Sequence, residues 1–242
     1  MTHLGVSEWY IIMVDKIIEI LVESVKQEVQ MKTVAVLDYG MSNLRSVSRA
    51  LEHVANSSWR VLISRNVQEI QQADKVVFPG QGAIGNCMQL LRETGLDQAV
   101  LESVSKKPFL GICLGLQTLL SSSEESGGVK GFNLVKGDVV KFADNLKEPL
   151  TGEHLKIPHM GWNQVKQMQS HHLWKEIPDE SRFYFVHSFY AKPEENQMIA
   201  STTNYPTPFV SAIAFENVFA VQFHPEKSQH QGLKLLENFL SW

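Results

Sequence analysis

Short apolar runs alternate with amphipathic stretches through the first half of this chain. Runs at residues 33–38, 60–63, 75–78 and 109–112 have the length and composition of buried strands, and residues 43–55 predict a helix between the first two. Strands that alternate with helices usually pair in parallel, with helices covering both faces of the sheet. The pattern therefore predicts an α/β fold.

The second half has a different pattern, in which strand-like segments follow one another. Residues 132–142, 155–168, 182–190 and 209–223 are rich in β-forming residues with hairpin-like turns, and a helix is predicted at 231–240. We expect these strands to extend the same sheet. The expected architecture is a three-layer α/β fold with an open, mostly parallel sheet, helices on both faces, and mixed strands in the second half.

The first thirty residues differ from the rest. Apolar side chains recur there at spacings of three and four, with charged residues among them, at Ile11, Val14, Ile18, Leu21, Val25 and Val29. This spacing predicts an amphipathic helix, whereas the start is not basic and does not resemble a signal peptide. Two interpretations stay open: residues 1–30 are a docking extension before a domain at 31–242, or the translation start is placed too early and Met31 is the true one.

The composition of the chain argues against several classes of function. The net charge is −4 without a Lys/Arg cluster, which argues against nucleic-acid binding. No apolar run is long enough to cross a bilayer, and two cysteines far apart, without C-x-x-C or H-x-x-x-H spacing, give no metal-site pattern. We therefore expect a cytoplasmic protein that binds neither membrane nor nucleic acid and needs no metal or cofactor.

A cysteine between two glycines follows the last of the early strand-like runs. Gly111 and Gly115 lie two residues before and two residues after Cys113, and apolar residues then recur at helical spacing from 114 to 120. Larger side chains at the two glycines would collide where strand and helix cross, so this pattern is typical of a turn that presents a nucleophile. The N-terminal end of the helix would stabilise a thiolate. The alternative is a small buried apolar residue, as we expect of Cys87.

A histidine and a glutamate follow a strand-like run at 219–223. The fixed φ of Pro225 would hold the chain in an extended turn, so that His224 and Glu226 project to the same side. A carboxylate that accepts from one ring nitrogen sets the tautomer and leaves the other nitrogen for a thiol. The sequence thus predicts Cys113 as nucleophile, His224 as base and Glu226 as the residue that orients the base.

Six motifs occur in order between residues 31 and 242. They are D-Y-G-M-S-N-L at 38–44, P-G-Q-G-A at 79–83, G-I-C-L-G-L-Q at 111–117, P-H-M-G-W-N at 158–163, Y-F-V-H-S-F at 184–189 and F-H-P-E-K-S at 223–228. Together they resemble the class I, or triad, glutamine amidotransferases, and within these the glutaminase subunits of imidazole glycerol phosphate synthase. The resemblance implies a flavodoxin-like amidotransferase fold and hydrolysis of L-glutamine to glutamate and ammonia for histidine biosynthesis.

The resemblance also implies a role for each catalytic residue. Cys113 would attack the side-chain amide of glutamine and form a thioester. His224 would protonate the departing ammonia and later activate water, with Glu226 orienting it.

Two further groups of residues are implied. Backbone N–H groups of Gln81, Gly82 and Leu114 would stabilise the oxyanion of the tetrahedral intermediate. Gln117 and Glu125 match positions that hold the α-amino and α-carboxylate end of glutamine. Without the resemblance, these two would be interpreted as an exposed helix residue and an exposed loop residue.

The partner implied by the resemblance is a TIM-barrel cyclase subunit, which would consume the ammonia. The segment expected to contact this cyclase comprises His159, Met160, Trp162 and Asn163. Three alternatives stay open: a glutaminase subunit of another amidotransferase, a stand-alone glutamine or γ-glutamyl hydrolase, and an inactive binding module.

Overall fold

A computed structural model describes residues 13–21, 31–40, 44–148 and 150–242. Residues 13–21 form helix α1, and every residue in it is exposed. The remainder of the helix expected within 1–30 lies outside the described residues. The division into an extension and a domain at 31–242 stays a prediction.

The described residues from 31 onward contain thirteen strands and six further α-helices. The strands are β1 Lys32–Leu37, β2 Trp59–Ser64, β3 Lys75–Gly80, β4 Phe109–Cys113, β5 Leu120–Ser123, β6 Val129–Lys130, β7 Val135–Lys141, β8 His159–Gln167, β9 Ser181–His187, β10 Phe189–Pro193, β11 Ile199–Asn204, β12 Pro208–Phe215 and β13 Val218–Val221. The helices are α2 Leu44–Val54, α3 Val67–Gln72, α4 Ile84–Thr94, α5 Leu96–Lys106, α6 Leu114–Gln117 and α7 Gln229–Ser241.

The strands form one mixed sheet in the order β2-β1-β3-β4-β13-β12-β10-β7-β5-β6, and β11 connects β12 to the β8–β9 pair. The first five strands in this order are parallel, whereas β12 pairs antiparallel with β13, β10 and β11. This arrangement confirms the predicted α/β class, with a parallel half and mixed strands from the second half of the chain.

Both faces of the parallel half are covered by helices. Along β1, Val34 and Val36 pack into a cluster with residues of α2 and α7, whereas Ala35 and Leu37 pack into a cluster with residues of α3, α4 and α5. Successive strand residues point to opposite faces, so an uninterrupted apolar run is needed to fill two cores. The three-layer expectation is therefore confirmed.

One predicted element is wrong in extent. The helix expected over 114–120 ends at Gln117, and the chain enters strand β5 at Leu120. The reason is tertiary, because the Leu119 carbonyl accepts the N–H groups of Leu134 and Val135, and β5 then pairs in parallel with β7. Apolar spacing alone does not reveal that competing partner.

Candidate active site

Cys113 lies at the junction of β4 and α6 in a strained backbone conformation, with φ 54° and ψ −102°. A Cβ on Gly115 would lie 2.0 Å from the Phe78 carbonyl oxygen, and one on Gly111 would lie 2.9 Å from the Gly115 backbone. Glycine is therefore required on both sides of the nucleophile, as the sequence predicts. A strained residue of this kind persists where the surrounding structure holds it in place, which is common at active sites.

His224 and Glu226 form a buried pair after β13. His224 Nδ1 lies 2.8 Å from Glu226 Oε1, and both side chains are almost fully buried. Pro225 begins a single turn of 3-10 helix, so the expected extended turn is wrong, although the two side chains do face each other. The tight turn at Pro225 brings the carboxylate to the ring because the two residues are close in sequence.

The charge environment of His224 favours imidazolium. Burial lowers the pKa of His224, but the neighbouring Cys113 and the Glu226 carboxylate outweigh burial and raise this pKa to about 10. Its Nε2 atom has no hydrogen-bond partner among the described residues and faces the side of the thiol. The pair is therefore able to exchange a proton with a substrate held at Cys113.

Cys113 and His224 line one cavity of about 490 Å³. This cavity also includes five of the remaining predicted site residues, namely Gln81, Gly82, Leu114, Gln117 and Glu125. A larger cleft of about 700 Å³ borders the segment 167–175, but it contains neither cysteine. The structure thus brings the expected nucleophile, base, oxyanion and substrate residues to one cavity, large enough for an amino acid, and Glu226 contacts His224 behind it.

The backbone around the cavity offers N–H donors. Gly80 is the register partner of Cys113 in the β3–β4 pair, which brings the turn at Gln81 and Gly82 beside the thiol. In the described part of the chain, the amides of Gln81, Gly82 and Leu114 donate to no backbone carbonyl in turns or loops. The three residues whose N–H groups are expected to stabilise an oxyanion therefore border the cavity beside the thiol.

The two expected substrate residues have different surroundings. Gln117 is buried, and its Nε2 donates to the Phe189 carbonyl at 3.0 Å and to Gln222 Oε1 at 3.1 Å. Glu125 is half-buried, and its Oε2 accepts the Ile84 N–H at the start of α4 at 2.8 Å. Both residues reach the cavity, so neither is merely an exposed helix or loop residue.

The second cysteine is a packing residue. Cys87 lies in α4 among core side chains and is fully buried. Burial raises the pKa of the Cys87 thiol to about 12. It therefore lacks the reactive surroundings of Cys113, as expected from the sequence.

Comparison with known proteins agrees with this geometry. The family model for class-I glutamine amidotransferases matches residues 35–241. The HisH subunit of imidazole glycerol phosphate synthase from Nitrosococcus oceani is 54% identical over 88% of this chain and 98% of its own length. The HisH subunit from Pseudomonas syringae is 52% identical over the same shares. The chain belongs to the class-I glutamine amidotransferases.

Solved structures show the same fold at lower identity. A GMP synthase protein from Thermoplasma acidophilum superposes with a TM-score of 0.63, at 20% identity over 87% of this chain and 93% of the other. Within the family, the close relatives place this amidotransferase among the HisH subunits, which confirms the resemblance inferred from the six motifs.

The expected partner segment of the amidotransferase has two faces on β8. Met160 and Trp162 point outward, with 63% and 38% of their surfaces exposed. His159 is only 3% exposed and stacks on Tyr205 with ring centroids 4.0 Å apart, and Asn163 is half-buried. His159 therefore lies on the buried side of β8, because alternate residues of a strand face opposite sides, and its expected contact with a docked protein stays a prediction.

Two residues of the site were not singled out by the sequence. His187, at the end of β9, lines the cavity, accepts from His159 at 3.0 Å and bonds the Phe189 carbonyl at 2.8 Å. Gln222 is fully buried, with its Nε2 atom 3.5 Å from Cys113 Sγ. His187 was visible only as one letter of a motif, and Gln222 only as a polar residue in an apolar strand.

Two other kinds of site are missing from the described part of the chain. Its residues contain no group of three or more His, Cys, Asp or Glu side chains able to hold a metal ion. No helix within those ranges has the length and apolar character needed to cross a membrane.

Proposed function

We propose that this amidotransferase hydrolyses L-glutamine at Cys113 and supplies the ammonia to the cyclase subunit of imidazole glycerol phosphate synthase. The observation that carries the proposal is that Cys113, His224 and the residues Gln81, Gly82 and Leu114 line one cavity, with Glu226 in contact with His224 behind it. The identity to HisH subunits gives the reaction its place in histidine biosynthesis.

The first half of the reaction forms a thioester. The Cys113 thiolate attacks the amide carbon of glutamine, a C–S bond forms, and the carbonyl electrons move to oxygen, where the amides of Gln81, Gly82 and Leu114 can donate. When the intermediate collapses, the C–N bond breaks and His224 gives its Nε2 proton to the departing nitrogen, which leaves as ammonia. The raised pKa of His224 supports this role, because the ring holds that proton at neutral pH.

The second half returns the enzyme to its starting state. Neutral His224 accepts a proton from water, and the resulting hydroxide adds to the thioester carbon. The C–S bond then breaks, the Cys113 thiolate leaves, and glutamate is released. Glu226 stabilises the imidazolium that forms again, through the 2.8 Å contact with Nδ1.

Recognition of the amino-acid end is assigned to Gln117 and Glu125. The Gln117 amide nitrogen is used internally, so its carbonyl oxygen is the group able to accept from an α-ammonium group. One oxygen of Glu125 accepts the Ile84 N–H, and the other oxygen is the candidate partner of the same cation.

The partner would dock on the outward face of β8. Met160 and Trp162 form an apolar surface beside the cavity residue Pro158, and aromatic and Met side chains are enriched at protein interfaces. A cytoplasmic location belongs to the same proposal and is supported by two free cysteines. Residues 31–242 would be the catalytic domain, and a chain lacking residues 1–30 should keep its glutaminase activity.

The test is Cys113→Ala, assayed in complex with the cyclase. Loss of glutamine-dependent synthesis with nearly unchanged synthesis from added ammonium salt is expected, because only the ammonia-producing half is removed. If both activities fall in a complex that still assembles, Cys113 is structural and the proposal fails.

A stand-alone hydrolase is the competing function. It is distinguished by the rate of glutamate formation from the chain alone and from the chain with the cyclase and its nucleotide ligand. A large rise on complex formation supports the subunit function, whereas full activity of the isolated chain favours the hydrolase.

A further inference from the structure

A buried glutamine contacts the sulfur of the nucleophile. Gln222 follows the last residue of β13, and Val221 of that strand is the register partner of Ile112 in β4. The parallel pairing therefore carries Gln222 to the level of Cys113, where its Nε2 lies 3.5 Å from Sγ. Gln222 is fully buried, so no water competes for the amide on the protein side of the thiol.

The orientation of this amide is fixed by a second glutamine. Gln117 Nε2 donates to the Phe189 carbonyl and to Gln222 Oε1, which uses both hydrogens of a primary amide. The atom of Gln222 that faces Gln117 must therefore be the oxygen. If the Gln222 amide were rotated by half a turn, its NH₂ group would face the NH₂ group of Gln117, and its oxygen would point at the sulfur.

We propose that Gln222 is a catalytic residue that donates an N–H to Cys113 Sγ and stabilises the thiolate, with Gln117 as the positioning residue that holds the amide in this orientation. The inference rests on the proposed function, since it concerns the same nucleophile. Hydrogen bonds to charged groups are stronger than those between neutral groups, so the contact favours the thiolate over the thiol.

Gln222 and His224 have different roles at the sulfur of Cys113. His224 supplies a proton that must leave for the ammonia, whereas the Gln222 amide keeps its hydrogens throughout the reaction. A permanent donor stabilises the thiolate both before attack and when the thioester is cleaved. Two residues of one segment, 222 and 224, thus approach the sulfur from the same strand end.

The test is the pH dependence of Cys113 alkylation by iodoacetamide in the full chain. Gln222→Met keeps the length of the side chain and removes the donor. We expect the pH midpoint of alkylation to rise by about one unit, with about tenfold slower reaction at pH 7 and an unchanged rate at the alkaline plateau. Peptide mapping by mass spectrometry identifies the modified cysteine.

A matched control removes a different buried hydrogen bond. Ser201 Oγ and Ser211 Oγ lie 2.8 Å apart in the same sheet, and both side chains are fully buried. Ser201→Ala should leave the midpoint where it is in the unchanged chain. The inference is overturned if Gln222→Met keeps the original midpoint, or if Ser201→Ala moves it equally.

A second measurement uses the unchanged chain, so its result does not depend on whether Gln222→Met folds. In ¹⁵N-labelled protein, the side-chain amide protons of Gln222 should shift with the midpoint of Cys113 alkylation and should lose this transition in Cys113→Ala. An amide signal that does not follow the thiol overturns the inference. Glutamine hydrolysis itself is judged by the separate Cys113→Ala assay, so failure of one proposal is distinguishable from failure of the other.

Discussion

Two buried histidine sites in this molecule favour opposite charge states. At the first, burial alone would lower the pKa of His224, but the neighbouring Cys113 and the Glu226 carboxylate raise this pKa to about 10. At the second, His159 and His187 contact each other, and burial lowers their pKa values to about 4 and about 3. Burial is common to all three rings, so the presence of Cys113 and a carboxylate beside His224, and of a neutral ring beside His159 and His187, decides the charge.

The neutral pair has a single consistent arrangement of protons. The Asn163 amide nitrogen donates to His159 Nε2 at 3.2 Å, so His159 carries its proton on Nδ1 and donates to His187 Nε2 at 3.0 Å. His187 Nδ1 in turn donates to the Phe189 carbonyl at 2.8 Å. All four ring nitrogens therefore make a hydrogen bond while both rings stay neutral. Burial favours this neutral form where no carboxylate is present.

The largest effect is expected from removing the carboxylate of the charged site. Glu226→Gln keeps the shape but removes the carboxylate partner of His224, and its amide can orient the ring in the wrong tautomer. Glutamate formation in the cyclase complex should fall roughly 10³-fold to 10⁴-fold, as triads do when the orienting acid becomes an amide.

Glu237→Gln is the control for that experiment. Glu237 is an exposed carboxylate that pairs with Lys234 on α7, outside the cavity. It should keep its activity, and ammonium-driven synthesis should be unchanged in both variants. A Glu226→Gln enzyme with nearly full glutaminase activity would show that the acceptor does not control His224.

A smaller effect is expected from converting the neutral site into a charged one. Asn163→Asp replaces the donor that faces His159 Nε2 with a carboxylate oxygen, although it also loses the 2.9 Å bond to the Asn204 carbonyl. The pKa of His159 should then rise by about two units, because an opposite charge within contact distance favours imidazolium. The ¹H–¹⁵N signals of the imidazole report the titration directly.

Asn163→Ala separates the added charge from the lost donor. It removes the amide without supplying a carboxylate, so His159 should stay neutral at pH 6. If Asn163→Asp behaves like Asn163→Ala, the identity of the acceptor does not explain the difference between the two sites.

The contrast between these sites also shows what sequence can reveal. His224 and Glu226 are two residues apart, and the glycines around Cys113 are local requirements of a sharp turn, so both features were predictable from adjacent residues. The parallel half of the sheet was predictable for a similar reason, since each strand is an apolar run between helical segments.

The remaining parts of the site depend on pairing between distant segments. His159 and His187 meet only because β8 and β9 pair in a register that places them directly opposite each other. Gln222 reaches Cys113 through the β13–β4 register, across 109 positions of sequence. The sequence contains these residues but not the registers, which explains why His159 was expected on the surface and Gln222 was not expected in the site.

The smallest effect is expected on stability in acid. His187 takes up a proton near pH 6.5 when unfolded but only near pH 3 when folded, because burial lowers its pKa in the native state. Below pH 6.5 the unfolded chain therefore binds more protons than the native chain, and the free energy of unfolding decreases as the pH falls. At pH 5 this histidine alone should account for about 2 kcal/mol of lost stability.

His187→Gln, whose amide can accept from His159 and donate to Phe189, should lose less stability between pH 6.5 and pH 5 than the unchanged chain. Urea unfolding at several pH values measures the difference, with His53→Gln, on the exposed end of α2, as the control. An identical loss in the unchanged chain and in His187→Gln would mean that the second site is not held neutral by burial.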